Sequence, residues 1–272
     1  MSELTLSRKR SLLFRELNTI ITVMAREITI FLRSPGAAIM SLMMPIILMG
    51  MIGGNLMQNM ADGLSFQFGP FMLVGMLINM LFMVTTTGMT SLVDDHDIDF
   101  NQEMLVSPVS RYSIVIGKIL GCGFSAVVSM TGTLLVGLLM GIILPIGKLL
   151  LILMLSPLMC LSGGALAMIV IGLIKSKRTA NLAVMFIVMP QMFLSGAVIP
   201  INNSKGILLL LNRIMPMTYC LDLVRAIVYR GSPEYASVIM FNPVINFMAI
   251  VILTVFCLVI GTYFFAQSEK NR

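Results

Sequence analysis

The chain reads as an all-α integral membrane protein. It has six transmembrane helices, an N-terminal amphipathic interfacial helix, and short re-entrant or outer helices before the sixth span. Three observations predict this class. Six stretches of roughly 20 to 35 residues contain no Asp, Glu, Lys or Arg: 37–57, 70–93, 119–147, 149–174, 179–204 and 235–268. A helix crosses a bilayer with about 20 apolar residues, so each stretch can hold one span. These runs are continuous, without period-two alternation, which excludes a β-barrel, the other fold that satisfies its backbone in lipid. Finally, 58% of the 272 residues are hydrophobic and only 11% charged, a balance at which a soluble domain would precipitate.

The net charge of +6 suggests nucleic acid at first sight, but the placement of the charges points to a membrane. Arg8, Lys9, Arg10, Arg15, Arg26 and Arg33 precede the first span. Arg111 and Lys118 follow the second, Lys175, Lys177 and Arg178 the fourth, and Lys270 and Arg272 the sixth. If the spans alternate, these thirteen of eighteen basic residues share one side, and only Lys148, Lys205, Arg213, Arg225 and Arg230 fall on the other. The positive-inside rule then makes both termini cytoplasmic. Residues 1–36 form the cytoplasmic N-terminus, 37–266 the six-span unit and 267–272 a cytoplasmic tail. The first apolar run begins too late for a cleaved signal peptide and lacks a clean small-residue exit.

Residues 11–33 show helical amphipathicity. Leu13, Leu17, Ile20, Met24, Ile28 and Phe31 recur at spacings of three and four, and Arg15, Asn18, Thr22, Arg26, Thr29 and Arg33 trace the opposite face. Ser34-Pro35-Gly36 breaks this helix before the first span. An interfacial helix on the cytoplasmic leaflet results, serving either as a mechanical element or as a plain anchor.

The cytoplasmic segment 94–118 holds five of the twelve acidic residues: Asp94, Asp95, Asp97, Asp99 and Glu103. It begins like a calcium loop, but Phe100 stands where Gly is required and Val106 where the closing Glu belongs. His96, the one histidine, has no Cys or His beside it, so no metal site is expected. The cluster is either a solvated loop or a docking surface for a cytoplasmic partner.

Gly117 with Gly121 and Gly137 with Gly141 form small-xxx-small pairs along the third span, suited to close helix approach. Cys122, Cys160, Cys220 and Cys257 read as small buried thiols rather than a disulfide framework. The outer segment 200–242 is too apolar for a free loop. Within it Asp222 and Arg225 stand at i and i+3, where they can pair on one helix face.

No apolar stretch contains a charge or a histidine, whereas ion-coupled carriers place such groups at membrane depth. Only hydroxyls and amides are available there: Asn55, Asn79, Thr85, Thr86, Thr87, Thr90, Thr131, Thr133, Gln191 and Ser195. The pairs Gly117-Lys118 and Gly147-Lys148 lack the remainder of a phosphate-binding loop. The chain therefore reads as a non-enzyme without a cofactor, and active transport would need energy from a separate subunit.

Three motifs carry a family resemblance. Glu103-Met-Leu-Val-Ser-Pro108-Val-Ser-Arg111 followed by Gly117-Lys118 resembles the second cytoplasmic segment of type-2 ABC transporter permeases. Pro190-Gln-Met-Phe193-Leu-Ser195-Gly196-Ala-Val-Ile-Pro200 is similar to their fifth-span signature. Met215-Pro216-Met-Thr218-Tyr219, with Asp222 and Arg225, resembles the stretch before the sixth span. The sequence departs from the pattern at 94–100 and at Met215, where Asn is usual. The resemblance, closest to the compact daunorubicin-resistance type, implies a permease subunit in a prokaryotic cell membrane. Its implied partners are a second permease, identical or related, two copies of a cytoplasmic ABC ATPase, and membrane lipid, with no nucleic acid. It implies that Glu103, Pro108 and Arg111 couple to the ATPase. Phe193, Ser195, Gly196, Pro200, Pro216, Tyr219, Asp222 and Arg225 become structural or pathway residues. The implied function is ATP-driven export of a hydrophobic or amphipathic drug, antibiotic or peptide. Export of a lipid-linked polysaccharide, or a non-transporting immunity or scaffold role, are the alternatives. The 27 methionines either adapt a cavity to varied cargo or fill gaps and face lipid.

Overall fold

A computed structural model describes residues 2–55, 66–93, 110–174, 176–198, 200–201 and 206–270. The elements are α1 (Ser2–Arg33), α2 (Pro35–Ile47) continued by a π-helical segment (Leu48–Gly53), α3 (Phe68–Gly88), α4 (Arg111–Leu139), α5 (Ile146–Leu173), α6 (Lys177–Leu194), α7 (Ile207–Ile214), α8 (Pro216–Val228), α9 (Tyr235–Val238) and α10 (Pro243–Lys270). Among the described residues there is no strand. Four helical stretches are long and apolar enough to cross a membrane: Phe68–Val93, Arg111–Leu139, Ile146–Leu173 and Tyr235–Gln267. They coincide with the expected second, third, fourth and sixth spans.

Two bent pairs raise the possible number of spans to six. Phe14–Arg33 meets Pro35–Met51 at 85°, so the expected first span leaves the amphipathic helix almost perpendicularly. The break falls at Ser34, before Pro35, whose ring cannot continue an i to i−4 ladder. Ile207–Ile214 meets Pro216–Val228 at 81°, the geometry of a re-entrant or outer helix pair. Pro216 opens α8 at its first turn, where a missing N–H costs nothing.

The expected fifth span, 179–204, is shorter than its apolar run. Helix α6 ends at Leu194 after 18 residues, roughly 27 Å. The chain then turns at Gly196, whose φ of +82° lies in the region that glycine alone enters freely.

Helix α3 is the hub, packed against α4, α5, α6 and α8. Phe71, Leu77, Ile78, Leu81 and Phe82 are wholly inaccessible along it. The turn after α6 lies directly on this hub, since a Cβ on Gly75 would fall 1.8 Å from the Ala197 carbonyl oxygen. The glycines of the third span serve the same end. A Cβ on Gly117 would meet the Ile20 carbonyl oxygen at 2.8 Å, and one on Gly121 the Glu27 Cβ at 2.5 Å. These small residues let α1 settle onto α4, a close approach of the kind small-residue pairs permit. Gly137 instead accommodates Leu73, and Gly141 turns the chain at φ +78°.

Helix α1 consequently has three faces. Glu16, Ile20, Val23, Met24 and Glu27 lie toward α4, while Phe14, Leu17 and Ile21 form an exposed apolar edge. Arg15, Asn18, Thr22, Thr29 and Arg33 occupy the third, polar face. All four cysteines are free and buried. Methionines divide between core positions such as Met72, Met76 and Met80 and exposed ones such as Met40, Met51 and Met154, which is gap-filling and surface placement.

Candidate functional site

The two motifs flanking the bent pair meet in space. Arg225, 4% exposed, reaches from α8 to the turn after α6, where Nη2 donates to the Gly196 carbonyl oxygen at 2.6 Å. Its guanidinium lies over the Phe71 ring of α3, 3.5 Å from the centroid. Such stacking offsets part of the cost of burying a planar cation, whose Nε has no hydrogen-bond partner among the described residues. Asp222, 3% exposed, turns the other way. Its carboxylate accepts from the Met240 N–H at 2.9 Å, the Phe241 N–H at 2.8 Å and Asn246 Nδ2 at 2.8 Å. The i, i+3 spacing suggested a surface pair, and this is corrected. Both residues are buried, and each is held by its own partners in a different part of the fold. The reason is that α8 sits between α3 and α10 and presents the two charges to opposite neighbours.

The bend itself is stitched by side chains. Asn212 Nδ2 donates to the Leu194 carbonyl at the end of α6, and Thr218 Oγ1 to the Asn212 carbonyl, both near 2.9 Å (2.9 and 2.8 Å). The Tyr219 hydroxyl donates to the Arg213 carbonyl at 2.7 Å, and its ring lies against Phe241. Ser195, Gly196, Pro216, Tyr219, Asp222 and Arg225 thus belong to one junction. Phe193, half exposed, points away from it, and Pro200 stands at its margin.

At the α1 end, Glu103 and Pro108 of the expected coupling segment lie outside the described residues, as do His96 and the Asp94–Asp99 carboxylates. Arg111 is described, and its Nη1 donates to the Ala266 carbonyl of α10 at 3.0 Å. Beside it the Glu16 carboxylate accepts from the Ser110 N–H at 3.1 Å and from Ser113 Oγ at 2.5 Å. Ser110 is the N-cap of α4, so a carboxylate from α1 supplements the cap of another helix. One turn further on, Lys118 Nζ lies 3.3 Å from Glu27 Oε1 and is 2% exposed. Helix α4 therefore begins at Arg111, ahead of the charge-free run that opens at Ile119, and carries Lys118 within it. Lys118 looked like a flanking anchor because its counter-ion lies on another helix. Glu16 and Glu27 went unassigned, although their spacing of eleven places them on one face of α1.

Of the ten hydroxyls and amides available to the spans, most are consumed locally. Thr86, Thr87, Thr131 and Thr133 donate to carbonyls of their own helices, Asn55 to Met51, and Thr90 to Asn181 Oδ1 of α6 at 2.6 Å. Asn79, Thr85, Gln191 and Ser195 are buried with side-chain polar atoms that have no hydrogen-bond partner among the described residues. The contacts Gly75–Ala197 and Thr90–Asn181 fix the antiparallel register of α3 and α6, which puts Asn79 and Gln191 at one level between them. Among the described residues no cluster of His, Cys, Asp or Glu could hold a metal ion.

The fold and these junctions define a multi-pass helical membrane protein. Comparison with known families makes the class specific: residues 18–229 match the ABC-2 type transporter family. The chain belongs to that family, whose members are the transmembrane component of ABC transporters. A shorter match, 36% identical over 80 residues, is to Nodulation protein J of Rhizobium meliloti (strain 1021). It covers 28% of this chain and 30% of that protein.

Proposed function

We propose that the chain is the permease subunit of an ATP-driven exporter that moves a hydrophobic or amphipathic compound, such as a drug, antibiotic or peptide. Two permease subunits, identical or related, pair in a prokaryotic plasma membrane with both termini cytoplasmic, and two separate ATPase subunits supply the energy. The observation that carries this reading is the state of the charges within an ABC-2 fold. Asp222, Arg225, Lys118 and Glu27 are each engaged by protein groups, while the uncharged Asn79 and Thr85 of α3 and Gln191 and Ser195 at the end of α6 carry unpartnered buried polar atoms. A pathway with neutral donors and acceptors between apolar walls suits amphipathic cargo. A hydroxyl-rich, lipid-linked glycan fits the same amides and is the second reading.

The exposed face of α6, which includes Leu182, Phe186, Met189 and Phe193, and that of α2, with Ile39, Met40 and Met43, are the surfaces offered to a second subunit or to lipid. Coupling runs through segment 94–118, with Glu103 paired to a basic group of the ATPase. Reconstitution with a co-purifying ATPase tests the whole reading. Amphipathic drugs should stimulate hydrolysis, and Glu103→Lys should abolish that stimulation while Asp95→Lys spares it, because truncating a desolvated interfacial charge costs far more than altering one at a rim. Failure to recover any ATPase with the intact permease would defeat the exporter reading, and stimulation by a lipid-linked glycan alone would select the second.

A further inference from the structure

A cavity of about 850 Å³ opens at the end of the bundle opposite α1, between the start of α5, the end of α8 and the start of α10. Its size is that of a ligand site for a molecule of some tens of heavy atoms. Lys148 and Arg230 both line it, with Tyr235 beside them, and among the described residues no carboxylate does. The nearest acid in sequence, Glu234, is turned elsewhere, accepting from the Gln67 N–H at 3.2 Å.

The two cations are held differently. Lys148 Nζ is anchored on the Val228 carbonyl oxygen, which uses one of its three protons and fixes the head group at the cavity wall. Arg230 is exposed and, among the described residues, makes no hydrogen bond or ion pair, so its whole guanidinium is available. Gly147 also lines the cavity in the first turn of α5, a 28-residue helix whose Lys148 and Leu149 N–H groups bond the carbonyl of the N-cap Pro145. The dipole there favours an anion in the same place as the two side chains do. The other walls are apolar: Leu151, Leu223 and Ile227 line the cavity, and Ile146 and Leu150 continue the exposed surface beside its mouth.

We propose that this cavity binds an anionic membrane lipid of the leaflet at that end. The headgroup phosphate sits between Lys148 and Arg230, and the acyl chains lie along Leu151, Leu223 and Ile227. The apolar walls and the exposed Ile146 and Leu150 at the mouth choose a lipid over a free phosphate, which would use the cations alone. The site is independent of the exported compound.

The test uses the full-length protein, delipidated in detergent and examined by native mass spectrometry with added phosphatidylglycerol or phosphatidylcholine. The wild type should retain phosphatidylglycerol in preference. Arg230→Gln should lower that retention about fivefold, the usual contribution of one interfacial cation, and leave phosphatidylcholine unchanged. Arg230→Lys should keep most of the preference. Arg230 has no internal partner among the described residues, so an unaltered thermal transition confirms that the variant is folded. Equal retention of the two lipids by the wild type, or an unchanged ratio in Arg230→Gln, overturns the proposal. Displacement of phosphatidylglycerol by inorganic phosphate alone overturns the assignment to a lipid.

Discussion

The Arg225 guanidinium stacks 3.5 Å from the centre of the Phe71 ring while donating to the Gly196 carbonyl oxygen, and so fastens α8 to α3 and to the turn after α6. A single buried cation joins three elements that the chain separates by 29 residues or more. The neighbouring Asp222 performs the matching task toward α10, gathering two backbone N–H groups and Asn246. Between them the two charges fix α8 on both sides, while Asn212, Thr218 and Tyr219 hold the α7–α8 bend.

Arg225→Ala should cost about 3 kcal/mol, since it removes a desolvated cation–π contact and a charge-assisted hydrogen bond together. Phe71→Leu keeps apolar volume and should lose about 1 to 2 kcal/mol. Denaturation of the four members of this double-mutant cycle in detergent should give a coupling of at least about 1 kcal/mol. Strict additivity of the two losses would show that the stacking contributes nothing.

The Glu27–Lys118 contact is a buried pair between α1 and α4. Arg26 Nη1 also lies 3.4 Å from Glu27 Oε1, so Lys118→Met leaves Glu27 a cation and should cost about 1 kcal/mol, whereas Glu27→Gln takes the carboxylate from both cations and should cost about 3 kcal/mol. Replacing both with Met should recover much of that loss, because a well-packed apolar pair of similar volume substitutes for an ion pair at little cost. Thermal stability of the purified variants decides the matter. A double variant as unstable as the sum of the singles would mean that the charges do not act as a pair.

Much of this architecture was legible in the sequence, and the limits have a physical origin. Charge-free runs located the spans because lipid excludes unpaired charge, and Pro35 and Pro216 marked helix restarts because proline cannot continue a ladder. Gly117 and Gly121 foretold a close approach, though not that α1 would be the helix approaching. The burial of Lys118 was not legible, because sequence shows a lysine at the edge of an apolar run without Glu27, which lies 91 residues away. Asp222 and Arg225 stood at pairing distance along a helix, but their partners came from α3, α10 and the turn after α6, a tertiary choice that local spacing does not encode. The end of the fifth span was set by Gly196 and by packing of Ala197 on Gly75, while the apolar composition simply ran on.

The unpartnered amides of Asn79 on α3 and Gln191 on α6 make a separate prediction. Unpartnered buried amides are costly, so a purely structural role would make their replacement neutral or stabilising. Asn79→Leu and Gln191→Leu should therefore preserve or raise thermal stability. In the reconstituted transporter they should nevertheless reduce cargo-stimulated hydrolysis about tenfold or more, as buried groups built to meet a ligand do when removed. Stable variants with full stimulation would exclude these amides from the pathway.

The last prediction concerns Glu16. Its carboxylate caps the start of α4 through the Ser110 N–H and Ser113 Oγ, and the adjacent Arg111 holds the end of α10 through the Ala266 carbonyl. Residues 94–109 precede Ser110 in the sequence, so whatever displaces that segment acts first on a point shared by α1, α4 and α10. Under the exporter reading, Glu16 is a positioning residue that carries this displacement into α1. A carboxylate at a partly buried helix N-terminus contributes about 1 to 2 kcal/mol, which is a change of fivefold or more in an equilibrium between two arrangements. Glu16→Gln should accordingly leave insertion and subunit assembly intact, keep basal ATP hydrolysis, and lower cargo-stimulated hydrolysis about fivefold. Ser113→Ala should act in the same direction, and the double variant should be no worse than Glu16→Gln, since both remove one contact. A merely structural role would instead lower stability and basal hydrolysis together, with the two substitutions adding, and that pattern would rule out transmission through Glu16.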